Sequence, residues 1–397
     1  MPSVCLHFHV HQHSLLRHYT FFDINHNHLY EDTERNLHII NKLSEKCYLP
    51  ANDIMLDLIK KYKGDFRIAF SITGILLDQF EKLRADVLDG FKRLADTGYV
   101  EFVNETYHHS LAFLFSTQEF KEQVMLHKKK IKTLFGQAPK TFRNTELIYN
   151  GDLTRIMGKM GCNVILAKGT DKDLWWRSPN YVYQPAGCEK LKLLFRNHRL
   201  SDDIAVRFSD SKWSEYPLTA AKYAHWIHRI NDAGDVVNLF MDYETFGEHQ
   251  RKDTGIFQFI QKFPRELLKH PDFRFQTPSE IVRDYEPVAQ LDLMNLITEA
   301  NVERDLSVWL GNTLQKDAIN TLYGMESKVR SRKDGMFINA WRMLQASDHF
   351  YHMRTDLSTN GDAYKVSNPY GSPYDAYINY MNIIDDFSGI LGKKRGA

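Results

Sequence analysis

Val236-Val237-Asn238-Leu239-Phe240-Met241-Asp242-Tyr243-Glu244-Thr245-Phe246-Gly247-Glu248-His249 is an almost wholly apolar run that ends on two acids and a glycine turn. A strand hydrophobic on both faces reads as a buried parallel strand, and acids at its C-terminal tip point into the mouth of an α/β barrel. Burying a carboxylate without a partner is expensive, so acids gathered at one mouth point to chemistry rather than stability. With side chains alternating, Asp242 and Glu244 share a face, and their charges couple so that one pKa is pushed upward. A carboxylic acid poised near neutrality is what protonation of a leaving oxygen requires.

Outward from this stretch, strand-like runs (4–10, 66–72, 100–104, 141–145, 163–167, 193–196, 205–208 and 273–276) alternate with amphipathic helical patterns (53–63, 86–97, 118–135, 151–160 and 220–232). Such alternation predicts a parallel sheet, and acids at the ends of several strands favour the closed barrel. After about Pro287 the strand signals stop, and 291–310, 313–329, 334–353 and 375–390 read as helices. The expected organisation is a catalytic barrel over residues 1–287 and a helical bundle over 288–397 that completes the cleft.

Bulk properties remove several classes of function. The 397 residues are 43% hydrophobic and 25% charged, as in a folded soluble chain, and the net charge of +1 gives no footprint for nucleic acid or anionic membranes. No run approaches about 18 apolar residues, the length a membrane span needs. The first strand follows Met1 almost directly, without a basic and then apolar leader, and a cytoplasmic location is expected. Cys5, Cys47, Cys162 and Cys188 are scattered, with no CxxC pair. Aromatics reach 13%, and Trp175-Trp176 offers flat rings that suit either a sugar face or a core.

Four further segments carry polar groups where a strand or helix would bury them. In His7-Phe8-His9-Val10-His11-Gln12-His13 the four histidines share one face. They are metal ligands, a polar wall against sugar hydroxyls and carboxylates, or, for His7 and His9, satisfied core polars. In Tyr99-Val100-Glu101-Phe102-Val103-Asn104-Glu105-Thr106-Tyr107-His108-His109, Glu101 is a site residue or a solvated strand end. Glu146, in Asn144-Thr145-Glu146-Leu147, directly follows a short strand, the position of a barrel nucleophile or of an acid favoured by a helix dipole. Trp341, Leu344, Asp348 and Tyr351 fall on one stripe of a helix, where an Asp is out of place unless the stripe meets a polar cleft.

In this order and spacing, the five segments resemble the five sequence regions of glycoside hydrolase family 57. The matching strings are His11-Gln12, Val100-Glu101 running to Tyr107, Asn144-Thr145-Glu146, Met241 to His249, and Ser347-Asp348-His349-Phe350. The resemblance spans residue 7 to about 352 and implies an α/β fold, an incomplete (β/α)7 TIM-like barrel followed by a helical domain. It places Glu146 as nucleophile and Asp242 as general acid/base, with His11, Glu101, Glu244 and Asp348 binding the sugar at the cleavage point. His13, from the polar wall, and Trp341, from the helix stripe, are assigned to substrate binding beside them. The implied activity is α-amylase-type hydrolysis of α-1,4-glucans by double displacement, with the carboxyls about 5–5.5 Å apart. No cofactor or metal is expected, and the partner is an α-glucan. His108-His109 stands where the glucanotransferase branch has Glu-Pro, which makes 4-α-glucanotransferase or branching activity the alternative. Outside the family, the rivals are a non-catalytic glucan-binding protein and a metal-dependent hydrolase using His7, His9 or His11 with Asp242.

Overall fold

Alternation along the first strand, Ser3–Val10, sets the layering of the molecule. The computed structural model describes residues 2–169, 174, 177–231, 233–293, 296–298, 306–355 and 368–393. Val4, Leu6, Phe8 and Val10 face an apolar layer that contains Ile40, Met55 and Ile59 from the helices Thr33–Leu43 and Leu49–Tyr62. Cys5 faces the other way, into a smaller cluster with Ala69, Leu166, Leu194 and Phe240. His7 and His9 share the face of Cys5, so the strand carries its imidazoles inward and its hydrocarbon outward.

The strands are β1 (Ser3–Val10), β2 (Ile68–Ile72), β3 (Val100–Phe102), β4 (Thr141–Arg143), β5 (Val164–Lys168), β6 (Val182–Pro185), β7 (Lys192–Arg196), β8 (Val236–Asp242), β9 (Arg274–Phe275) and β10 (Gln290–Leu291). They form two sheets, in the orders β3-β2-β1-β8 and β10-β6-β7-β5-β4, with β9 paired to the start of β1. All pairings are parallel except β6 with β7. The fold is therefore α/β, with parallel sheets and many helices.

The two sheets touch at both edges. Asn104 donates its N–H to Thr141 O and accepts from Arg143 N–H, both at 2.9 Å. At the other edge Asn197 N–H reaches Asn238 O at 2.8 Å, and the Asn238 side chain donates to Phe195 O at 2.9 Å. Arg196 Nε adds a 2.8 Å bond to Phe240 O. Asn238, fully buried in the middle of an apolar strand, is thus explained: its amide supplies a bond that no regular ladder makes there.

Several expectations are corrected. The run Ala205-Val206-Arg207-Phe208 mimics strand alternation, yet the Asn197 side chain caps Leu200 N–H and Ala205 ends the helix His198–Ala205. β6 and β10 carry no clear signal, and β10 lies beyond Pro287, where strands were expected to have ended. The stretch 334–353 is two helices, Gly335–Met343 and Ser347–Tyr351, because Ala346 bridges to Ser110 and Ser347 N–H bonds to His109 O at 3.0 Å. Trp175-Trp176 and part of 291–310 lie outside the described residues. Among the described residues, no helix is long and apolar enough to cross a membrane.

The C-terminal helices share one apolar cluster with β4, β5 and β7: Phe142, Ile165 and Phe195 join Leu322, Trp341 and Phe387. A buried ion network adds direction to this contact. Glu119, without exposed side-chain surface on the helix Thr117–Phe135, takes Arg342 Nε at 2.7 Å and Arg330 Nη2 at 2.8 Å. Arg342 also reaches Glu122 at 2.6 Å. Removing one partner of a buried pair strands the other's charge, so Arg342→Met should lower the unfolding free energy by about 3 kcal/mol in a urea titration. A change below about 1 kcal/mol would mean that Arg330 alone satisfies Glu119.

Candidate active site

β1 ends at Val10, and the chain beyond it carries His11 and His13 over the mouth of the strands. The corresponding end of β8 presents Asp242, followed by a 3₁₀ turn, Tyr243–Thr245, that turns Glu244 back toward β1. Gly247 makes this turn possible. Its φ is +119°, and a Cβ there would sit 2.0 Å from Lys46 O, so only glycine fits. Lys46 lies in a π-helical turn, Ser44–Tyr48, which also brings the Tyr48 hydroxyl to Glu244 Oε1 at 2.6 Å.

Glu146 follows β4 in a left-handed conformation, φ 55° and ψ 27°, and Leu147 and His109 are left-handed as well. Such geometry in non-glycine residues costs about 1–3 kcal/mol each and persists only where neighbours over-determine it. Here Asn144 Nδ2 spans to Ile148 O at 3.0 Å, and Thr106 and Thr145 join hydroxyls at 2.7 Å. The strained pair meet directly: His109 Nε2 and Glu146 Oε1 are 3.0 Å apart.

Behind them stands Glu105, with no exposed surface. Its Oε2 lies 3.8 Å from His109 Nδ1 and 3.4 Å from His9 Nε2. His9 Nδ1 in turn is 3.4 Å from Asp242 Oδ1. Glu146, His109, Glu105, His9 and Asp242 therefore form one alternating array of carboxylates and imidazoles. Only its two ends meet the opening, with side-chain exposures of 26% for Glu146 and 40% for Asp242. Beside the array, His11 holds Asp348 Oδ2 at 3.0 Å and Thr73 at 3.0 Å, and its backbone N–H reaches Glu244 at 3.3 Å. His13 Nδ1 takes the other Asp348 oxygen at 3.2 Å, and its Nε2 lies 3.4 Å from His352 Nε2.

The charges follow from these contacts. Burial opposes ionisation of Glu146, but the hydrogen bond and charge of His109, aided by Arg143, hold its carboxyl below the ordinary value. Burial works against charge on His109, yet Glu105 and Glu146 raise it to about 9. Burial and Arg143 disfavour charge on His9, but Glu105 and Asp242 outweigh them and raise it. Burial likewise works against ionisation of Asp242, and His9 still holds it below the usual range. Of the two acids of this segment, Glu244 is the one pushed up, to about 7, by burial and then by the charge of Asp242. Burial and the neighbouring His109 charge lower His11 to about 4, which leaves it a neutral hydrogen-bonding group.

Glu146, Asp242, Glu244, His11, His13 and Asp348 thus come together around one opening. Glu101 does not. It sits in register with Ala69, two residues below Ser71 on β2, and its carboxylate accepts from Thr141 Oγ1 at 2.5 Å and from Ser279 N–H and Oγ at 2.9 and 2.7 Å. Its expected sugar-binding role is corrected to a tie between β4 and the helix Pro278–Asp284. Trp341 is corrected too. It has no exposed surface, its indole N–H bonds Leu322 O at 2.9 Å, and its ring lies against Tyr323 in the core.

Glu105, His109, Tyr48 and Arg143 were not singled out in the sequence. A signal existed for the first two, since all six residues of Asn104–His109 are polar or ionisable. None existed for Tyr48, which reaches the site across 196 residues. The ligating atoms of His9, Glu105 and His109, and those of His11, His13 and Asp348, could each converge on one metal ion. In the second group both histidines hold Asp348, at 3.0 and 3.2 Å, whereas in the first Glu105 is faced by His9 and His109 at 3.4 and 3.8 Å and neither of its oxygens accepts a hydrogen bond.

The profile of Glycosyl hydrolase family 57 matches residues 5–294. A Methanocaldococcus jannaschii protein named "Putative alpha-amylase" is 42% identical over 370 residues, covering 90% of this chain and 78% of its own. Among solved structures, the 4-alpha-glucanotransferase of Thermococcus litoralis superposes with a TM-score of 0.66 at 14% identity, over 88% of this chain. The chain spans 56% of that protein, little more than half its length. The branching enzyme of Thermococcus kodakaraensis superposes with a TM-score of 0.68 at 13% identity, covering 90% of this chain and 86% of that one. On the profile match and the 42% identity, the chain belongs to glycosyl hydrolase family 57 and is a glycoside hydrolase.

Proposed function

We propose that the chain is a retaining, α-amylase-type hydrolase of α-1,4-glucans, acting on maltodextrin, glycogen or starch. The observation that carries this reading is the pair of half-open carboxylates, Glu146 and Asp242, at the two ends of one imidazole–carboxylate array. Glu146, ionised and held by His109, attacks the anomeric carbon while Asp242 gives a proton to the departing glycosidic oxygen. Asp242 then takes a proton from water, which attacks the glycosyl ester and frees the sugar with its configuration retained. His11, His13, Asp348 and Glu244 line the same opening and supply hydrogen bonds to sugar hydroxyls.

The edge contacts through Asn104 and Asn238 support closure of the two sheets into an incomplete (β/α)7 barrel. In this reading residues 1–287 form that barrel. Residues 288–397 form the helical domain that brings Asp348 to its mouth. All four cysteines are free, which suits a cytoplasmic setting. In family terms the alternative is transfer rather than hydrolysis, as the names of the structural relatives allow.

Product analysis tests the reading. Wild-type protein with maltoheptaose should release shorter oligomers of retained α configuration by ¹H NMR. Longer oligomers would indicate transfer, and new α-1,6 links on glycogen would indicate branching. Glu146→Gln and Asp242→Asn should each remove nearly all turnover while leaving the circular dichroism spectrum unchanged, and full activity in either would refute the assignment. Exhaustive dialysis against EDTA should leave the rate unaltered, whereas a rate restored only by added metal favours the metal-hydrolase rival.

His109 also has a pH signature. It holds the Glu146 carboxyl below its ordinary value, and the nucleophile must be ionised. In His109→Asn burial is opposed by Arg143 without the histidine, so the acidic limb of kcat/KM should move to higher pH. An unmoved limb would show that His109 does not set the charge of Glu146.

A further inference from the structure

The glycosidase reading leaves one chemical question open, which is where the acid keeps its proton. Asp242 is ionised in the resting site, because His9 lies against it and stabilises its charge. A general acid without a proton protonates nothing.

We propose that His9 stores the proton that Asp242 delivers, and that Glu105, assigned no part in the reaction so far, is the positioning residue that keeps His9 charged. The inference rests on the glycosidase reading above. Its geometric basis is a carboxylate with no exposed surface and no hydrogen bond to either oxygen, faced on Oε2 by one nitrogen from each of two histidines. A buried carboxylate whose oxygens accept no hydrogen bond among the described residues is held as an anion by imidazolium neighbours. His9 then presents Nε2–H to Glu105 and Nδ1–H to Asp242, and His109 presents Nδ1–H to Glu105 and Nε2–H to Glu146.

The proton balance closes. In the resting array Asp242, Glu105 and Glu146 are anionic and His9 and His109 cationic. When a glucan covers the opening, the proton on His9 Nδ1 passes to Asp242, leaving a neutral histidine and a carboxylic acid. Asp242 then gives that proton to the glycosidic oxygen as the C–O bond breaks, and Glu146 forms its ester with the anomeric carbon. The array has lost one proton and one nucleophilic charge together, so its net charge is the same before and after. In the second step Asp242 takes a proton from water, hydroxide oxygen bonds to the anomeric carbon, Glu146 leaves as carboxylate, and the proton returns to His9.

Other ionisable groups facing the array belong to the same balance. Arg143 opposes charge on His9 from the strand side, while burial, Arg143 and then His9 itself hold His7 well below its ordinary value. His127 accepts Glu105 N–H at 3.2 Å from behind, and His249 adds to the field at Asp242. Asp348, across His11, favours charge on His109.

The test compares a substrate that needs leaving-group protonation with one that does not. In Glu105→Gln, kcat/KM for maltoheptaose should fall by about 10²-fold, the lower end of what general acid catalysis supplies, with the alkaline limb moved to lower pH. For 2-chloro-4-nitrophenyl α-maltotrioside, whose phenolate leaves without help, the fall should stay below about 10-fold. Glu105→Asp, which keeps the charge, should return the limb toward its wild-type position. Equal losses on both substrates with an unmoved limb would make Glu105 merely structural and overturn the proposal. Selectively ¹⁵N-labelled histidine in the wild type gives a reading independent of any variant's folding. His9 is expected as imidazolium at pH 7, and a neutral His9 overturns the proposal. Asp242→Asn run alongside separates the two levels: full activity there defeats the glycosidase reading itself, whereas an inactive variant leaves the relay to be judged on the Glu105 data.

Discussion

A carboxylate with no exposed surface, Glu105, lies between His9 and His109, and the remaining site is arranged around the charge it fixes. An isolated ion at that depth would neutralise itself by taking up a proton. Two imidazoles on one oxygen prevent this, and each then has a second nitrogen left to spend on an outward-facing carboxylate. Glu146 and Asp242 are therefore ordered by a common centre rather than by separate local contacts. Their exposed edges mark the only part of the array that a ligand can reach.

Holding that centre requires backbone that the chain would otherwise avoid. His109, Glu146 and Leu147 occupy left-handed conformations, and Gly247 turns where any Cβ would collide with the Lys46 carbonyl. The restraints come from several directions. Gln123 accepts from His108 N–H and Ser110 Oγ, Asn144 clamps its own loop, and Ser347 N–H takes the His109 carbonyl. The strain sits at His109 and Glu146, the two residues that make the 3.0 Å contact at one end of the array.

Much of this was legible in the sequence, for identifiable reasons. Acids closing an apolar run exposed β8 and Asp242, and the odd-numbered histidines of β1 gave its inward face. Glu146 was visible because it follows a short strand directly. What failed did so where long-range contacts override local pattern. Trp341 and Asp348 fit one helical stripe, but pairing of Ala346 with Ser110 breaks the helix between them and sends the tryptophan into the core. Glu101 has the alternation of a site residue and is claimed instead by Ser279, 178 positions away. The coupling of Asp242 and Glu244 was foreseen, but which acid rises was not. His9 decides that, because it holds Asp242 down against burial, while burial and then the charge of Asp242 raise Glu244. The boundary expected near 287 is spanned by one apolar cluster that joins β4, β5 and β7 to the C-terminal helices.

That shared cluster has a functional consequence. Asp348 reaches His11 and His13 only because Ser347 is tied to the His109 carbonyl, and His109 is the residue that holds Glu146. The helix carrying Asp348 and the loop carrying His109 are thus one mechanical unit, backed by the ions of Glu119, Arg330 and Arg342. Any displacement of the C-terminal helices moves both Asp348 and the imidazole partner of Glu146. Segments that come late in the chain therefore work as structural members of a site whose half-open carboxylates, Glu146 and Asp242, both precede them, and buried ions stand at this contact where an apolar seam could also have held the helices.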